Sequence, residues 1–257
     1  MKGVFTFLGT GGSTGVPVIG CKCEVCTSKN PKNRRYRPSG LIELNNRVFL
    51  IDIGPDFRFQ ALEFGVDRID GLLLTHTHFD HIAGIDETRI FNIREGKPLP
   101  CLLSQESFEE IQLRYYYFFK KEVSAKFDFT ILEKEHGSRK FLQTDIGYVS
   151  FSQNGMKITG YRWGDFAYIS DIKKFDESIF EGLKGVKKLV ISALRPEESP
   201  FHLSFNEAVD FIDRIGVEQA WLTHLGHFLD HEAMNVLLPL HVKVGFDGLK
   251  IEFTWKK

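Results

Sequence analysis

The chain has 257 residues, 42% of them apolar, which suits one large domain (1–257) with a substantial core. Its 33 basic and 34 acidic residues leave a net charge of -1, so no global field draws it to nucleic acid or an anionic membrane, and an anionic substrate has to be held locally. No window comes near the roughly 18 uninterrupted apolar residues of a spanning helix, and the opening "MKGVFTFLGTGG" is too short and glycine-broken for a signal peptide, so a cytoplasmic protein is expected.

The first element is a strand, "GVFTFLG", which leaves through "LGTGGSTG", a stretch whose backbone can approach a ligand or neighbouring loops closely. Next comes "GCKCEVC". Cys21, Cys23 and Cys26 form a cluster that suits metal thiolates in a reducing compartment better than disulfides, and flanking Lys22 and Glu24 argue against three plain buried thiols. Structural zinc in tetrahedral geometry needs a fourth ligand beyond these three. The remaining cysteine, Cys101 in "PLPCLLS", reads as a core thiol.

Strands "GLIELNN" and "RVFLIDIG", a helix over 56–64 and a strand "GLLLTH" follow. Directly after that strand, "THTHFDH" supplies His76, His78, Asp80 and His81 within six residues. Alternate side chains of an extended segment share a face, so His76 and His78 can converge on one ion, while a turn after His78 frees Asp80 and His81 for a second. Two ions about 3.5–4 Å apart form the hydrolytic clamp used on phosphate esters.

Helices are predicted over 82–92 and 105–122. The aromatic "LRYYYFFKKEVSAKFDF" reads as core or interface, which leaves a homodimer open. Strands "FDFTIL", "KITGYR", "FAYISD" and "KKLVISAL" follow, then a helix over 204–215 opened by a Ser204/Glu207 capping box, a strand "AWLTHLG" and a helix over 231–238. Strands and helices that interleave without a clean βαβ alternation predict two packed sheets with helices outside, a layered α/β (α+β) arrangement.

These motifs resemble the metallo-β-lactamase superfamily, whose signature is HxHxDH. "FLGTGGSTGVPVIGCKCEVC", "RPSGLIE", "IDIGPDFRFQAL", "ALRP", "HLS" and "THLGH" extend the resemblance over nearly the whole chain to the phosphoribosyl 1,2-cyclic phosphate phosphodiesterase (PhnP-like) branch. The resemblance implies an αββα sandwich with metals at one edge. It places His76 and His78 on one ion, Asp80, His81 and His224 on the other, and Asp171 between them. Asp52 would orient the ligand loop, His227 would close a structural zinc with Cys21, Cys23 and Cys26, and His202 would act beside Asp80 at the scissile phosphate without binding metal.

Two positions depart from the family pattern. A further histidine is expected before the bridging aspartate, but aligning Gly155 and Gly160 in "SQNGMKITGYR" puts Asn154 there as a weak or outer partner of the first ion, with Gln153 beside it. An amide oxygen is a poorer donor than imidazole to zinc, so that ion is expected to be partly occupied, or to be manganese. His136, in the charged stretch "KEHGSRK", reads as a solvated surface residue, and Ser192 stands where the family has an acid.

The sequence therefore predicts a metal-dependent phosphodiesterase with two divalent ions, zinc or manganese, and one structural zinc. It would act on a small cyclic phosphate ester through a hydroxide held by the metals. The alternatives are a nuclease-like hydrolase acting on RNA ends, which the balanced charge disfavours, and a binding protein with a degraded metal site.

Overall fold

The computed structural model describes residues 1–228 and 230–255. The first half of the chain supplies β1 (Lys2–Gly9), β2 (Ser39–Leu44), β3 (Arg47–Ile51), β4 (Gly71–Leu73), β5 (Leu99–Ser104) and β6 (Phe127–Leu132), with helices α1 (Phe57–Phe64), α2 (Phe79–Ile82), α3 (Arg89–Glu95) and α4 (Gln105–Arg114) between them. The second half supplies β7 (His136–Phe141), β8 (Thr144–Gln153), β9 (Met156–Trp163), β10 (Phe166–Ile169), β11 (Lys188–Ser192), β12 (Gln219–Thr223), β13 (Val242–Val244) and β14 (Lys250–Thr254), with α5 (Ile179–Gly182), α6 (Phe205–Ile215) and α7 (His231–Leu237).

These strands form two mixed sheets, in the orders β14-β1-β2-β3-β4-β5-β6 and β13-β12-β11-β10-β9-β8-β7. Their inner faces bury a shared aromatic layer, Phe5, Phe7 and Phe49 from one sheet against Tyr161, Trp163, Phe166 and Tyr168 from the other. The outer faces are covered by helices: Phe57, Phe91 and Ile111 seal the first sheet, and Ile179, Phe211 and Met234 the second. Each sheet is thus apolar on both sides, which is why its strands read as continuous apolar runs. The architecture is the expected αββα sandwich.

The helices at both sequence extremes of the prediction agree closely with the structure, and α6 carries both halves of the Ser204/Glu207 capping box. The helix predicted over 82–92 is instead α2, a 3-10 turn over Ile85–Thr88 and α3. The helix predicted over 105–122 ends at Arg114, where the aromatic run folds back: Phe118 is buried with the first sheet's outer core, whereas Tyr116 and Phe119 are exposed. The charged stretch around His136, expected to be solvated surface, is edge strand β7, held to β8 by backbone pairing rather than by apolar side chains. Among the described residues, no helix is long and apolar enough to cross a membrane.

What positions the site is strand direction. β3 to β6 run parallel, as do β10 to β13. The loops that leave the carboxyl ends of β3, β4, β10, β11 and β12 carry Asp52, the His76–His81 segment, Asp171, His202 and His224. Connecting loops carry function because the rigid sheets beneath them fix their positions.

Candidate metal centre

Six of the predicted ligands converge. His76, His78 and Asp171 form one group of donors within 4.8 Å of one another, and Asp80, His81, Asp171 and His224 form a second, with Asp171 shared. Asp171 Oδ2 lies 2.9 Å from His81 Nε2 and 3.1 Å from His76 Nε2, while Oδ1 lies 3.1 Å from His224 Nε2. His76 Nε2 and His78 Nδ1 are 2.8 Å apart. Every member is buried except His78, which is half-buried.

The backbone is bent to achieve this. Asp52, Asp171 and His224 all take left-handed φ values, 58°, 57° and 57°. Such conformations are costly for residues with a side chain and collect at functional sites. The first begins a turn that needs Gly54, whose added Cβ would stand 2.1 Å from the Asp80 carbonyl. Gly12, from the glycine-rich exit of β1, packs less tightly on the other side, where a Cβ would lie 3.3 Å from His224 Nδ1.

Asp52 is bonded to the second donor group through His81. Its Oδ2 accepts from His81 Nδ1 and from Thr75 Oγ1, each at 2.7 Å, and its Oδ1 accepts from the Thr75 backbone N–H at 2.8 Å. A proton held at Nδ1 leaves the His81 Nε2 lone pair facing the ligand group. Nothing in the local sequence marks Thr75 as the residue that anchors this acid.

The electrostatics are those of a cation site. Burial would push His81 down, yet Asp80, Asp52 and Asp171 around it hold it well above the usual imidazole range. Against burial, the imidazoles of His224 and His81 hold Asp171 well below the carboxylate range, and Asp80 is depressed in the same way by His81 and His224. His76 is lowered by burial and by the charge of His81, and His78 falls to about 4 through burial and His76. Both Asp171 oxygens and His81 Nε2 are buried without a hydrogen-bond partner among the described residues, although they stand close together. Close but misdirected donor atoms fit a shared ion better than shared protons, so the residues present suit divalent metals.

The cysteine cluster is also assembled. Cys21, Cys23 and Cys26 Sγ each lie 3.4 Å from His227 Nδ1. Sulfur and nitrogen ligands on one tetrahedral zinc stand about 3.5 Å apart. No disulfide forms among them. Cys101 is fully buried in β5, as expected.

Asn154 requires a correction. It is exposed, at the tip of the β8–β9 hairpin, where Gln153 pairs with Met156 and Asn154 and Gly155 take φ of 48° and 83°. This is a two-residue turn of the Asn-Gly type, which requires positive φ at both positions. The last inward side chain of β8 is Gln153, 3% exposed, whose Nε2 lies 3.1 Å from His202 Nδ1. His136 is also not at the metals: it is half-buried on β7, with Nε2 2.9 Å from Ser178 Oγ. Ser192, at the end of β11, is buried with its hydroxyl unpartnered among the described residues.

His202 stands beside the ligands. Its ring stacks on His224 with centroids 5.0 Å apart, and its Nδ1 is 3.3 Å from Asp171 Oδ1.

Comparison with known proteins agrees with this geometry. The model of the beta-lactamase superfamily domain matches residues 47–225. A solved structure described as a new diphosphatase from the PhnP family superposes with a TM-score of 0.90 at 32% identity, covering 98% of each chain. An octanoyltransferase of Porphyromonas gingivalis is 36% identical over 249 residues, 95% of this chain but 50% of that protein, so the chain spans about half the length of that relative. A ribonuclease Z of Methanopyrus kandleri is 36% identical over 84 residues, 32% of this chain and 24% of its own.

Proposed function

The chain belongs to the beta-lactamase superfamily, with a metallo-β-lactamase fold of the PhnP-like kind, and from that premise we propose that it is a metal-dependent hydrolase of phosphate esters, most specifically of a cyclic phosphodiester. The observation that carries this reading is the sharing of Asp171 between two groups of buried donors. A shared carboxylate holds two cations close enough to act on one phosphate group. His76, His78 and Asp171 would hold one ion; Asp80, His81, Asp171 and His224 would hold the other.

Bound divalent ions there would supply Lewis acidity to the phosphoryl oxygens and lower the pKa of water to yield a nucleophile at neutral pH. The chain's own residues do the rest. Asp52 and Thr75 lock the His81 ring, so the ligand group is set before substrate arrives. His202 approaches from the β11 loop on the side of Asp171 and His224, where its imidazole can give a proton to the departing oxygen.

A related octanoyltransferase raises acyl transfer as a rival. That protein is twice as long as the match, so its named activity is not assigned to the shared half. The only cysteine outside the zinc cluster, Cys101, is fully enclosed in a strand and cannot meet an acyl donor.

The test is hydrolysis by the metal-loaded protein of bis(p-nitrophenyl) phosphate and of a ribose 1,2-cyclic phosphate, together with metal analysis. Turnover of the cyclic ester, a loss of about 10²-fold or more in His202→Ala and full metal content in that variant are expected. Metal-loaded protein that turns over neither ester overturns the reading.

A further inference from the structure

Gln153 lies where no assigned role reaches, yet it is 3% exposed and bonded on both sides. Its Nε2 stands 2.7 Å from the Phe201 carbonyl oxygen and 3.1 Å from His202 Nδ1. An amide can be placed either way round, but here the carbonyl decides. An Oε1 at 2.7 Å from another oxygen would bring two sets of lone pairs face to face, so the atom there is the nitrogen. That nitrogen carries only donors. The ring atom it meets therefore has to accept, which leaves His202 Nδ1 without a proton and puts the proton of the neutral ring on Nε2.

A second observation agrees. Asp171 Oδ1 is 3.3 Å from the same Nδ1 but has no hydrogen-bond partner among the described residues. Two acceptors can stand at that distance without bonding, and the carboxylate remains free for an ion. Among the described residues His202 Nε2 has no partner either, and the side chain keeps 18% exposure, so its N–H is free to meet a ligand.

We infer that Gln153 is a positioning residue: bonded to the Phe201 carbonyl and to His202 Nδ1, it holds the His202 ring as an Nε2–H donor aimed at the substrate. The role of that donor rests on the phosphate-ester reading above. Gln153 thus occupies the inward position at the end of β8 in the service of the acid.

The test uses zinc-loaded protein with 15N-labelled histidine. The wild-type spectrum should show His202 protonated at Nε2 and bare at Nδ1. Gln153→Met removes the donor and Gln153→Glu replaces it with an acceptor; in both the proton should move to Nδ1. Turnover of bis(p-nitrophenyl) phosphate should fall about tenfold or more with KM nearly unchanged, and zinc content should stay at the wild-type value. A wild-type His202 protonated at Nδ1, or variants with unaltered tautomer and turnover, overturns the inference. Loss of zinc in Gln153→Met overturns it as well, since Gln153 would then support the metal. If His202→Ala retains full turnover, the acid role fails, whereas the nitrogen spectra still decide whether Gln153 governs the ring.

Discussion

Asp52 and His81 are joined by a 2.7 Å contact between Oδ2 and Nδ1, in a pocket where both side chains are fully buried. Neither makes this contact by local chance, because 29 residues separate them and Asp52 reaches it only from a left-handed backbone. The pair fixes an otherwise rotatable imidazole. Asp52→Asn keeps the shape but replaces one acceptor oxygen by a donor, which conflicts with the proton on Nδ1. Metal affinity at the site should fall about 10- to 100-fold. Titration with a competing chelator measures this, and an unchanged affinity would show that the ring is held by packing alone.

The cluster of Cys21, Cys23, Cys26 and His227 joins the loop after β1 to the loop after β12, since its fourth member His227 follows His224 by three residues. Cys23→Ser should lose one zinc per chain, lower the thermal midpoint and leave the active-site metals in place at first. Full zinc content in this variant would remove the cluster from the account.

Most of the site was legible because its signals are dense and local. Four ligand residues within "THTHFDH", three thiols within "GCKCEVC" and the capping box at Ser204 each declare a chemistry inside one short window. Asn154 was misread because a resemblance anchored on Gly155 ignored what that glycine does: Asn-Gly between two strand patterns is a hairpin turn, and the turn moves the inward position back to Gln153. β7 was missed for a different reason. Its residues Gly137, Ser138, Arg139 and Lys140 are exposed and carry no apolar alternation, so only pairing with β8 makes them a strand. Thr75 shows a third limit, since nothing in the sequence says that its hydroxyl will meet an acid 23 residues away.

The corrected position gives its own prediction. Asn154→His places an imidazole at an exposed hairpin tip, one residue beyond the inward-facing Gln153. Active-site metal content and affinity should equal those of the wild type, with a loss of about 1 kcal/mol or less from the less favourable left-handed residue. An increase in metal affinity would restore Asn154 to the site.

Gly54 packs directly on the ligand loop. A Cβ there would meet the Asp80 carbonyl at 2.1 Å, and that neighbour is backbone, which cannot rotate away. The loop is also pinned to the same turn by Ile53 N–H to the His81 carbonyl at 2.7 Å and Gly84 N–H to the Ile53 carbonyl at 2.9 Å. Gly54→Ala should therefore push α2 outward with Asp80 and His81 on it, costing on the order of 2 kcal/mol or more. Metal analysis should show loss from the catalytic groups with the cysteine-bound zinc retained. Equal loss from both sites would mean that the whole fold has failed rather than the loop.

Acid should find a weak point at His231, the first residue of α7, which is 2% exposed and packs edge-on against Phe246 with centroids 5.7 Å apart. Burial first, then the nearby charges of Lys32 and Arg35, lower its pKa to about 4, while Glu232 and Asp230 pull the other way without prevailing. The folded state thus keeps this ring neutral down to about 4, whereas the unfolded chain protonates it near the ordinary value of 6.5. Between those values the unfolded state binds the extra proton, so this contribution to stability is intact above pH 6.5 and is lost as the pH falls toward 4. The full loss is at most about 3.5 kcal/mol at 1.36 kcal/mol per unit of pKa difference. His231→Phe keeps an aromatic ring against Phe246 and has no proton to take up. Metal release in acid steepens the melting profile of both proteins alike, so the difference between their thermal midpoints isolates this residue. That difference should shift in favour of the variant by several degrees between pH 6.5 and pH 4.5. Parallel profiles over this range would show that His231 titrates normally in the folded protein, and that Lys32 and burial do not govern it.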